Sequence, residues 1–244
     1  MKTRLIFLFL MMCSFMLLGQ NQKPTMLQEI KSSPPKFTGI EKTVPILVEE
    51  KYPTIEDYLI KNVVYPEEDL KFWVQGTEIV QFNVTPMGEI TDISVVNSVS
   101  KQIDNEMIRV LRTTNGMWRP GFNDQNAVTM EKEVAMVFKV GDMPAKYDFK
   151  YWARKHYANG SKMLFVNSNP KKAIKHFDNG IVLMPNDKAL LVLRGLTRYE
   201  LGNKEGALKD WTRVKALGGI ESKEYLDNFN DLKGIAEMKQ LLEN

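Results

Sequence analysis

Apolar and polar residues alternate along three stretches of the chain, and this alternation predicts strands that each turn one face to a core. The later stretch carries its apolar residues at Val128, Met130, Val134, Met136, Phe138 and Val140. An earlier stretch, TEIVQFNV, alternates in the same way and is followed by the turn TPMG and the second alternating stretch EITDISVVNS. The pattern therefore predicts a hairpin over 77–98 and a long third strand from 128 onward.

Two helices are predicted around these strands. Thr54 and Asp57 match a capping box, and the apolar residues that follow share one helical face as far as Pro66. The segment IDNEMIRVLRTTNG carries a second apolar stripe and ends at Gly116, a residue that suits a helix C-terminus. The order helix, strand, strand, helix, strand predicts an α+β unit over 55–142, an antiparallel three-stranded sheet with helices on one face.

The last hundred residues follow a different pattern, with two copies at an offset of 34 residues. Ala173 matches Ala207, and Phe177 matches Trp211. Alanines at these positions allow helices to approach closely, while the aromatic residues fill the space between helix pairs. The period and these positions resemble tetratricopeptide (TPR) repeats, so we expect an all-α TPR-like repeat domain over 150–244. Because two repeats are fewer than the usual three, the C-terminal segment is expected to cap the array.

The N-terminal 54 residues are predicted to lie outside both units. Residues 1–19 combine a positive start with an apolar run, the pattern of a secretory signal peptide, and an uncleaved membrane anchor is the alternative. Residues 20–54 contain five prolines without sustained periodicity and are interpreted as a linker. The one cysteine, Cys13, lies in the leader, so cleavage would leave no disulfide, catalytic thiol or cysteine metal site.

Charge is distributed unevenly, although the formal net charge is only +3. Residues 55–142 contain eight Lys and Arg against fourteen Asp and Glu, whereas residues 146–219 contain fifteen against six. This asymmetry indicates an acidic unit and a basic unit, which are suited to dock on each other or to select different partners. The basic residues fit a solvated helix surface, so no nucleic-acid partner is expected.

The sequence contains no pattern that indicates catalysis. His156 and His176 are the only histidines, and both are expected to be packing or surface residues of predicted helices. A nucleophile elbow, a phosphate-binding glycine loop and a histidine pair at metal-ligand spacing are all absent from the sequence. We therefore expect a non-enzymatic protein without cofactor or metal.

The α+β unit resembles the TonB C-terminal domain in the form common in Bacteroidetes-type energy transducers. The matching segments, in chain order, are NVVYPEEDL, QGTEIVQFNVTPMGEITDISVVNSVS, DNEMIRVLRTTNGMWRPGFNDQNAV and VFKV. Their motif residues are Tyr65, Pro66, Gly88, Trp118, Pro120 and Gly121. The resemblance implies a periplasmic protein that binds an extended segment of an outer-membrane TonB-dependent receptor, or of another envelope protein, by adding a strand to a sheet edge.

The resemblance also implies where partners bind. The strand 127–140 would present the binding edge, with Thr129, Glu131, Lys132, Glu133, Ala135 and Val137 as candidate residues. A proline at Val134 or Ala135 would then block binding, but the sequence does not tell which of the two presents its N–H to the edge. In the repeats, the candidates for a basic groove that binds a second protein are Arg194, Arg198, Lys209 and Arg213, with solvated surface charge as the alternative.

Two further hypotheses stay open at this point. In one, the protein is a periplasmic assembly scaffold, in which the α+β unit forms a homodimer or packs on the repeats. In the other, it is a full energy transducer in the inner membrane, which requires that residues 1–19 stay attached as an anchor. The leader has no histidine and the linker is short, and both features disfavour coupling to proton motive force.

Overall fold

The computed structural model describes residues 31–39, 54–142, 148–220 and 223–243. Its strands are β1 (Ser32–Ser33), β2 (Lys36–Phe37), β3 (Gly76–Val84), β4 (Ile90–Asn97), β5 (Trp118–Arg119), β6 (Gly121–Asn123), β7 (Asn126–Val128) and β8 (Met130–Phe138). Its helices are α1 (Ile55–Asn62), α2 (Glu67–Lys71), α3 (Lys101–Arg112), α4 (Phe149–Ser161), α5 (Pro170–Leu183), α6 (Lys188–Glu200), α7 (Lys204–Ala216), α8 (Lys223–Asp227) and α9 (Ile235–Glu243). A π-helical turn, Lys162–Val166, continues α4.

The central sheet has the strand order β4-β3-β8, with antiparallel pairing throughout. β3 pairs with β8 over nine residues without a register shift, from Gly76↔Phe138 to Val84↔Met130. Its pairing with β4 is interrupted by two register shifts, and Asp92 in β4 has a φ of 52°. The predicted α+β architecture with antiparallel strands is confirmed.

Helices α1 and α3 cover one face of this sheet. The even-numbered side chains Val80, Phe82 and Val84 of β3 point into the core, where they meet the apolar stripe of α3. That helix begins at Ser100, whose hydroxyl accepts a hydrogen bond from the Ile103 N–H at 3.1 Å. Full burial of each large apolar side chain stabilises the fold by about 1.5–3 kcal/mol, so this face is the main source of stability for the unit.

Part of the segment interpreted as a linker is folded in the structure. β1 pairs with β6, and β2 pairs with β5. Phe37 is 5% exposed and packs edge-to-face on Trp118, with ring centroids 5.2 Å apart. Two-residue strands have no periodicity to detect, which is why the sequence did not indicate them. The leader, residues 1–19, and the remainder of the linker lie outside the described residues.

The segment before the last strand also differs from the sequence interpretation. Residues that were predicted to form a loop and the start of that strand form β6 and β7, a hairpin that turns at Asp124 with a φ of 53°. The last strand of the central sheet therefore begins at Met130, and not at Ala127 or Val128. Its burial alternates as predicted, with Val134 and Phe138 in the core.

A second core lies among helices α4 to α9. Ala173 and Ala207 are fully buried, as are the aromatic residues Phe177 and Trp211, so positions 34 residues apart lie in equivalent surroundings. A Cβ on Gly160 would collide with Phe177. The absence of a side chain there is therefore what allows α4 and α5 to pack closely. None of the helices in the described ranges is long and apolar enough to cross a membrane.

The helical unit packs on the second face of the central sheet. Gly76 at the start of β3 lies against α5, and a Cβ at this position would be 2.8 Å from the Val182 carbonyl oxygen. The Thr77 hydroxyl donates a hydrogen bond to the Leu183 carbonyl at 3.0 Å, and Ile79 is only 1% exposed. Helices therefore lie on both faces of the sheet where β3 begins, and the acidic and basic units are in direct contact.

Candidate functional site

β8 is one of the two outer strands of the central sheet, and the part of the chain that the structure describes places no strand on its far side. Thr85, which follows β3, donates its N–H to the Glu89 carbonyl at 2.9 Å, so odd-numbered residues of this strand face β4. Hydrogen-bonding direction alternates along a strand, so even-numbered residues of β3 face β8. Even residues of the two strands are paired, and the odd-numbered residues of β8 therefore present their N–H and C=O groups to the open edge.

Four of the six edge residues predicted from the sequence lie at these outward positions: Glu131, Glu133, Ala135 and Val137. Val137 is 57% exposed. The other two do not contribute to the edge. Lys132 lies at an even position, where its backbone groups face β3. Thr129 lies in the connection between β7 and β8, because the last strand begins later than the alternation suggested.

The opposite edge, formed by β4, is less suited to pair with another chain. The two register shifts interrupt its hydrogen-bonding groups, and bulged edges resist the addition of a further strand. At its first residue, the Ile90 N–H already donates to Asn115 Oδ1 at 2.9 Å. The regular edge of the central sheet is therefore β8.

Two acidic side chains on β8 are held by neighbouring residues. Glu131 accepts a hydrogen bond from the Gln81 side-chain amide. Glu133 binds Arg213 of α7 through two parallel hydrogen bonds, of 2.6 and 2.8 Å. Arg213 also donates to Asn186 Oδ1 at 2.7 Å. This arrangement connects the middle of the edge strand to the helical unit.

A groove of about 630 Å³ lies between the second face of the sheet and helices α5 to α7. All four cations predicted to form a basic groove line it: Arg194, Arg198, Lys209 and Arg213. Each has a carboxylate neighbour. Lys209 binds Glu205 at 2.8 Å on the exposed surface of α7, and Arg213 binds Glu133. The groove is therefore less basic than the sequence indicated.

Arg194 and Arg198 share one buried carboxylate, that of Asp210. Arg194 Nη2 lies 2.7 Å from Asp210 Oδ1, and Arg198 Nη1 lies 2.9 Å from Asp210 Oδ2. Asp210 is 3% exposed. Its burial raises the pKa of the carboxyl group, and the hydrogen bonds and charges of the two arginines act in the opposite direction. The sequence did not identify Asp210, because an acidic residue on a helix rich in charged residues is usually exposed to solvent.

Trp118 occupies the corner where α3 leads into the last strands. It is 1% exposed, and its Nε1–H donates to Thr114 Oγ1 at 3.1 Å. Its ring packs edge-to-face on Phe82 and on Phe37, with centroids 5.2 Å apart in both pairs. Trp118 is therefore a core residue that joins the N-terminal segment to the sheet.

The other motif residues lie in turns, at the ends of elements or in packing contacts, and none is an outward-facing residue of β8. The Tyr65 hydroxyl donates to the Val74 carbonyl, and its ring lies 5.3 Å from Phe138 in an edge-to-face contact. Gly88 has a φ of 80° in the turn between β3 and β4, a conformation that favours glycine. The remaining three lie at the ends of elements: Pro66 before α2, Pro120 between β5 and β6, and Gly121 at the start of β6.

The two histidines lie next to each other at the contact of α4 and α5. The ring centroids of His156 and His176 are 5.8 Å apart. Burial lowers the pKa of His156, and the neighbouring His176 adds to this effect. Within the described residues, no group of three or more His, Cys, Asp or Glu is placed to hold a metal ion.

Comparison with known families gives a match within the α+β unit. Residues 61–140 match the family model of the Gram-negative bacterial TonB protein C-terminal. This range contains the central sheet and the open edge of β8, and it supports the predicted resemblance for this part of the chain. No curated protein matches the chain. Over residues 61–140 the α+β unit is thus similar to the C-terminal domain of TonB, and it forms the TonB-like unit of this chain.

Proposed function

We propose that this protein is a non-enzymatic periplasmic adaptor. Its TonB-like unit binds an extended segment of an outer-membrane TonB-dependent transporter, which adds as a strand to β8, and its TPR-like helices recruit a second envelope protein. The observation that carries this proposal is the nine-residue edge of β8, which is free of register shifts. Main-chain hydrogen bonds along such an edge give affinity, and neighbouring side chains give specificity.

The side chains of β8 define the partner segment that fits best. Ala135 and Val137 are exposed and apolar, whereas Glu131 and Glu133 lie towards the other end of the strand. Residues opposite each other on neighbouring strands interact directly. Glu133 is already paired with Arg213, so the acidic end has one position, Glu131, for a further cation. We therefore expect a segment with apolar residues at one end and one Lys or Arg at the other.

A second candidate function is an assembly scaffold without energy coupling. The direct contact between the units favours it, since Gly76 packs on Val182 and Glu133 binds Arg213. In a scaffold, the edge of β8 would pair with a second copy of the chain or with a soluble periplasmic protein. An inner-membrane location and energy transduction would in addition require that residues 1–19 remain attached.

The experiment that tests strand addition uses two adjacent prolines. Ala135 presents its N–H to the open edge, so Ala135→Pro removes a hydrogen bond to the partner and none to β3. Val134→Pro instead removes a hydrogen bond of the ladder to Val80 and is expected to destabilise the fold. Circular dichroism and urea unfolding of both variants check this difference, and Ala135→Ser is the matched control that keeps the N–H.

Partner capture is then measured in living cells with a photocrosslinking amino acid at Val137, and the product is identified by mass spectrometry. We expect a segment of an outer-membrane transporter, captured by the otherwise unchanged chain and by Ala135→Ser but lost in Ala135→Pro. Capture of a second copy would support the scaffold. A transporter captured equally well by a folded Ala135→Pro variant would overturn strand addition at β8.

A further inference from the structure

Two guanidinium groups in the groove converge on a single carboxylate oxygen. Arg194 Nη1 and Arg198 Nη2 each lie 3.5 Å from Oδ1 of Asp178. Charge-assisted hydrogen bonds are normally about 2.7–2.9 Å long, so these contacts are loose. The Asp178 side chain is also 46% exposed, in contrast to the buried Asp210 on the other side of the two arginines.

The two arginines are neutralised unequally by their two carboxylate partners. Asp210 balances one of the two positive charges through short contacts, and the second faces only the loosely held Asp178. The other two cations of the groove, Lys209 and Arg213, have separate carboxylate partners. An incoming carboxylate that made contacts of normal length would therefore gain energy over the resident one.

The two arginines are held in place before any ligand arrives. Their side chains are 15% and 24% exposed, and Asp210 binds both. Arg198 Nη1 also donates to the Gly206 carbonyl at 3.3 Å. Because little side-chain freedom remains to be lost, binding at this position costs less conformational entropy than at a solvated arginine.

We propose that Arg194 and Arg198 form a carboxylate-binding site, in which an Asp or Glu side chain of an extended protein segment replaces Asp178. The groove has the volume of a ligand site, about 630 Å³. Its walls include apolar side chains, with Val95 and Val96 from β4 and Ile181 from α5. The occupant that fits is a segment with an acidic residue between apolar ones.

This inference rests on the proposed function of the helical unit and names the chemistry of its partner. The site is built by both units, because β4 supplies one wall and α5 to α7 supply the other. It lies apart from the outward-facing backbone of β8, so one molecule is able to hold a transporter segment and an acidic segment at the same time.

The test measures the side-chain Nε–H resonances of Arg194 and Arg198 in the full chain by NMR. The probe is the peptide acetyl-AEAEAE-amide at constant ionic strength, and acetyl-AQAQAQ-amide is its neutral control. We expect saturable shifts of both resonances with the first peptide and none with the second. Absence of a saturable shift would overturn the proposal, as would equal shifts with the neutral peptide.

Three variants test whether the peptide binds at Arg194 and Arg198 and not elsewhere on the protein. Asp178→Asn removes the exposed resident carboxylate at nearly constant volume and should tighten binding about threefold or more. Arg198→Gln should weaken it about tenfold, the loss of one charge-assisted contact. Lys209→Gln, the matched control, removes a cation of the same groove that binds Glu205 and should change affinity less than about twofold.

The variants also separate this site from strand addition. If Asp178→Asn binds the acidic peptide no more tightly than the unchanged chain, or if Lys209→Gln weakens binding as much as Arg198→Gln, the proposed site is wrong. Since Asp178 is exposed, its substitution is expected to leave the fold intact, which circular dichroism checks. Crosslinking from Val137 should be unaffected by Asp178→Asn, so failure of the acidic site and failure of the β8 edge give different results.

Discussion

Arg213 and Glu133 form a bidentate ion pair, with Nη1–Oε2 at 2.6 Å and Nη2–Oε1 at 2.8 Å. Arg213 lies on α7 and Glu133 on the edge strand β8, so the pair joins the two units. Their side chains are 21% and 32% exposed, which limits the screening of the pair by solvent. The basic helical unit thus docks on the acidic TonB-like unit through a specific contact as well as through general charge complementarity.

A double-mutant cycle measures the strength of this contact. The free energy of unfolding in urea is measured for Arg213→Gln, Glu133→Gln and the double variant. We expect a coupling free energy of about 1 kcal/mol, because a guanidinium and a carboxylate held in bidentate geometry attract each other more strongly than a typical surface pair does. The exposed pair Lys209 and Glu205 is the control and should show a smaller coupling. Equal coupling in the two cycles would show that the pair between the units is no stronger than a surface pair.

Gly76→Ala tests the docking of α5 on β3. The new methyl group would lie 2.7 Å from Val182 Cγ1 and 2.8 Å from the Val182 carbonyl oxygen. A backbone oxygen of a helix cannot rotate away, so the units must separate or deform, and we expect the free energy of unfolding to fall by about 1–3 kcal/mol. Gly121→Ala is the control, because the atoms nearest to the methyl group there belong to the flexible side chain of Met130. A Gly76→Ala variant as stable as the unchanged chain would contradict this close contact.

Periodicity in the sequence was sufficient to predict the central sheet and its core face. Val80, Phe82 and Val84 alternate with polar residues because the strand has one face on helices and one that is partly solvated. The capping residue Thr54 fixed the start of α1 for a similar local reason. The predicted end at Gly116 was wrong, since α3 ends at Arg112 and Gly116 lies in the turn after it. Features that depend on neighbours within a few residues were therefore predictable.

Features that depend on distant residues were not predictable in the same way. The outward direction of the Ala135 N–H depends on the turn at Thr85 and on the register between β3 and β8. The alternation of apolar and polar residues in β8 carries no information about either. The four groove cations were predicted from the resemblance to TPR repeats. The partner of Arg213 comes from the other unit, since Glu133 lies 80 residues before it. The sequence thus identified the candidate cations but not the carboxylates that pair with them.

Phe37→Ala tests whether the N-terminal segment belongs to the fold. The ring is 5% exposed and packs on both Trp118 and Tyr58, at centroid distances of 5.2 and 5.6 Å. Its removal leaves a cavity beside Trp118, and we expect the free energy of unfolding to fall by about 3 kcal/mol or more. Lys36→Ala, at the exposed neighbouring position, is the control and should have little effect. If both variants unfold at the same urea concentration, residues 31–39 behave as a linker after all.

Glu78 is a buried acid that makes stability depend on pH. It is fully buried on β3, and its Oε2 accepts a hydrogen bond from the Val99 N–H at 2.9 Å. Burial raises the pKa of Glu78 to about 8, and the nearby carboxylate of Asp104 acts in the same direction. In the unfolded chain the pKa of a glutamate is about 4.3. Between these two pH values the folded state binds more protons at Glu78 than the unfolded state does.

Stability is therefore expected to fall as pH rises from about 4.3 to 8, with a contribution from Glu78 of up to about 1.4 kcal/mol per pH unit. Glu78→Gln resembles the protonated acid, since its amide is able both to accept from Val99 and to donate to Asp104, and it does not titrate. Urea unfolding at pH 5, 6, 7 and 8 should show the variant gaining stability over the unchanged chain at each step. The exposed Glu56→Gln is the control and should parallel the unchanged chain. Parallel curves for Glu78→Gln as well would mean that Glu78 is ionised in the folded protein throughout this range, and the Val99 N–H would then be hydrogen-bonded to a buried carboxylate.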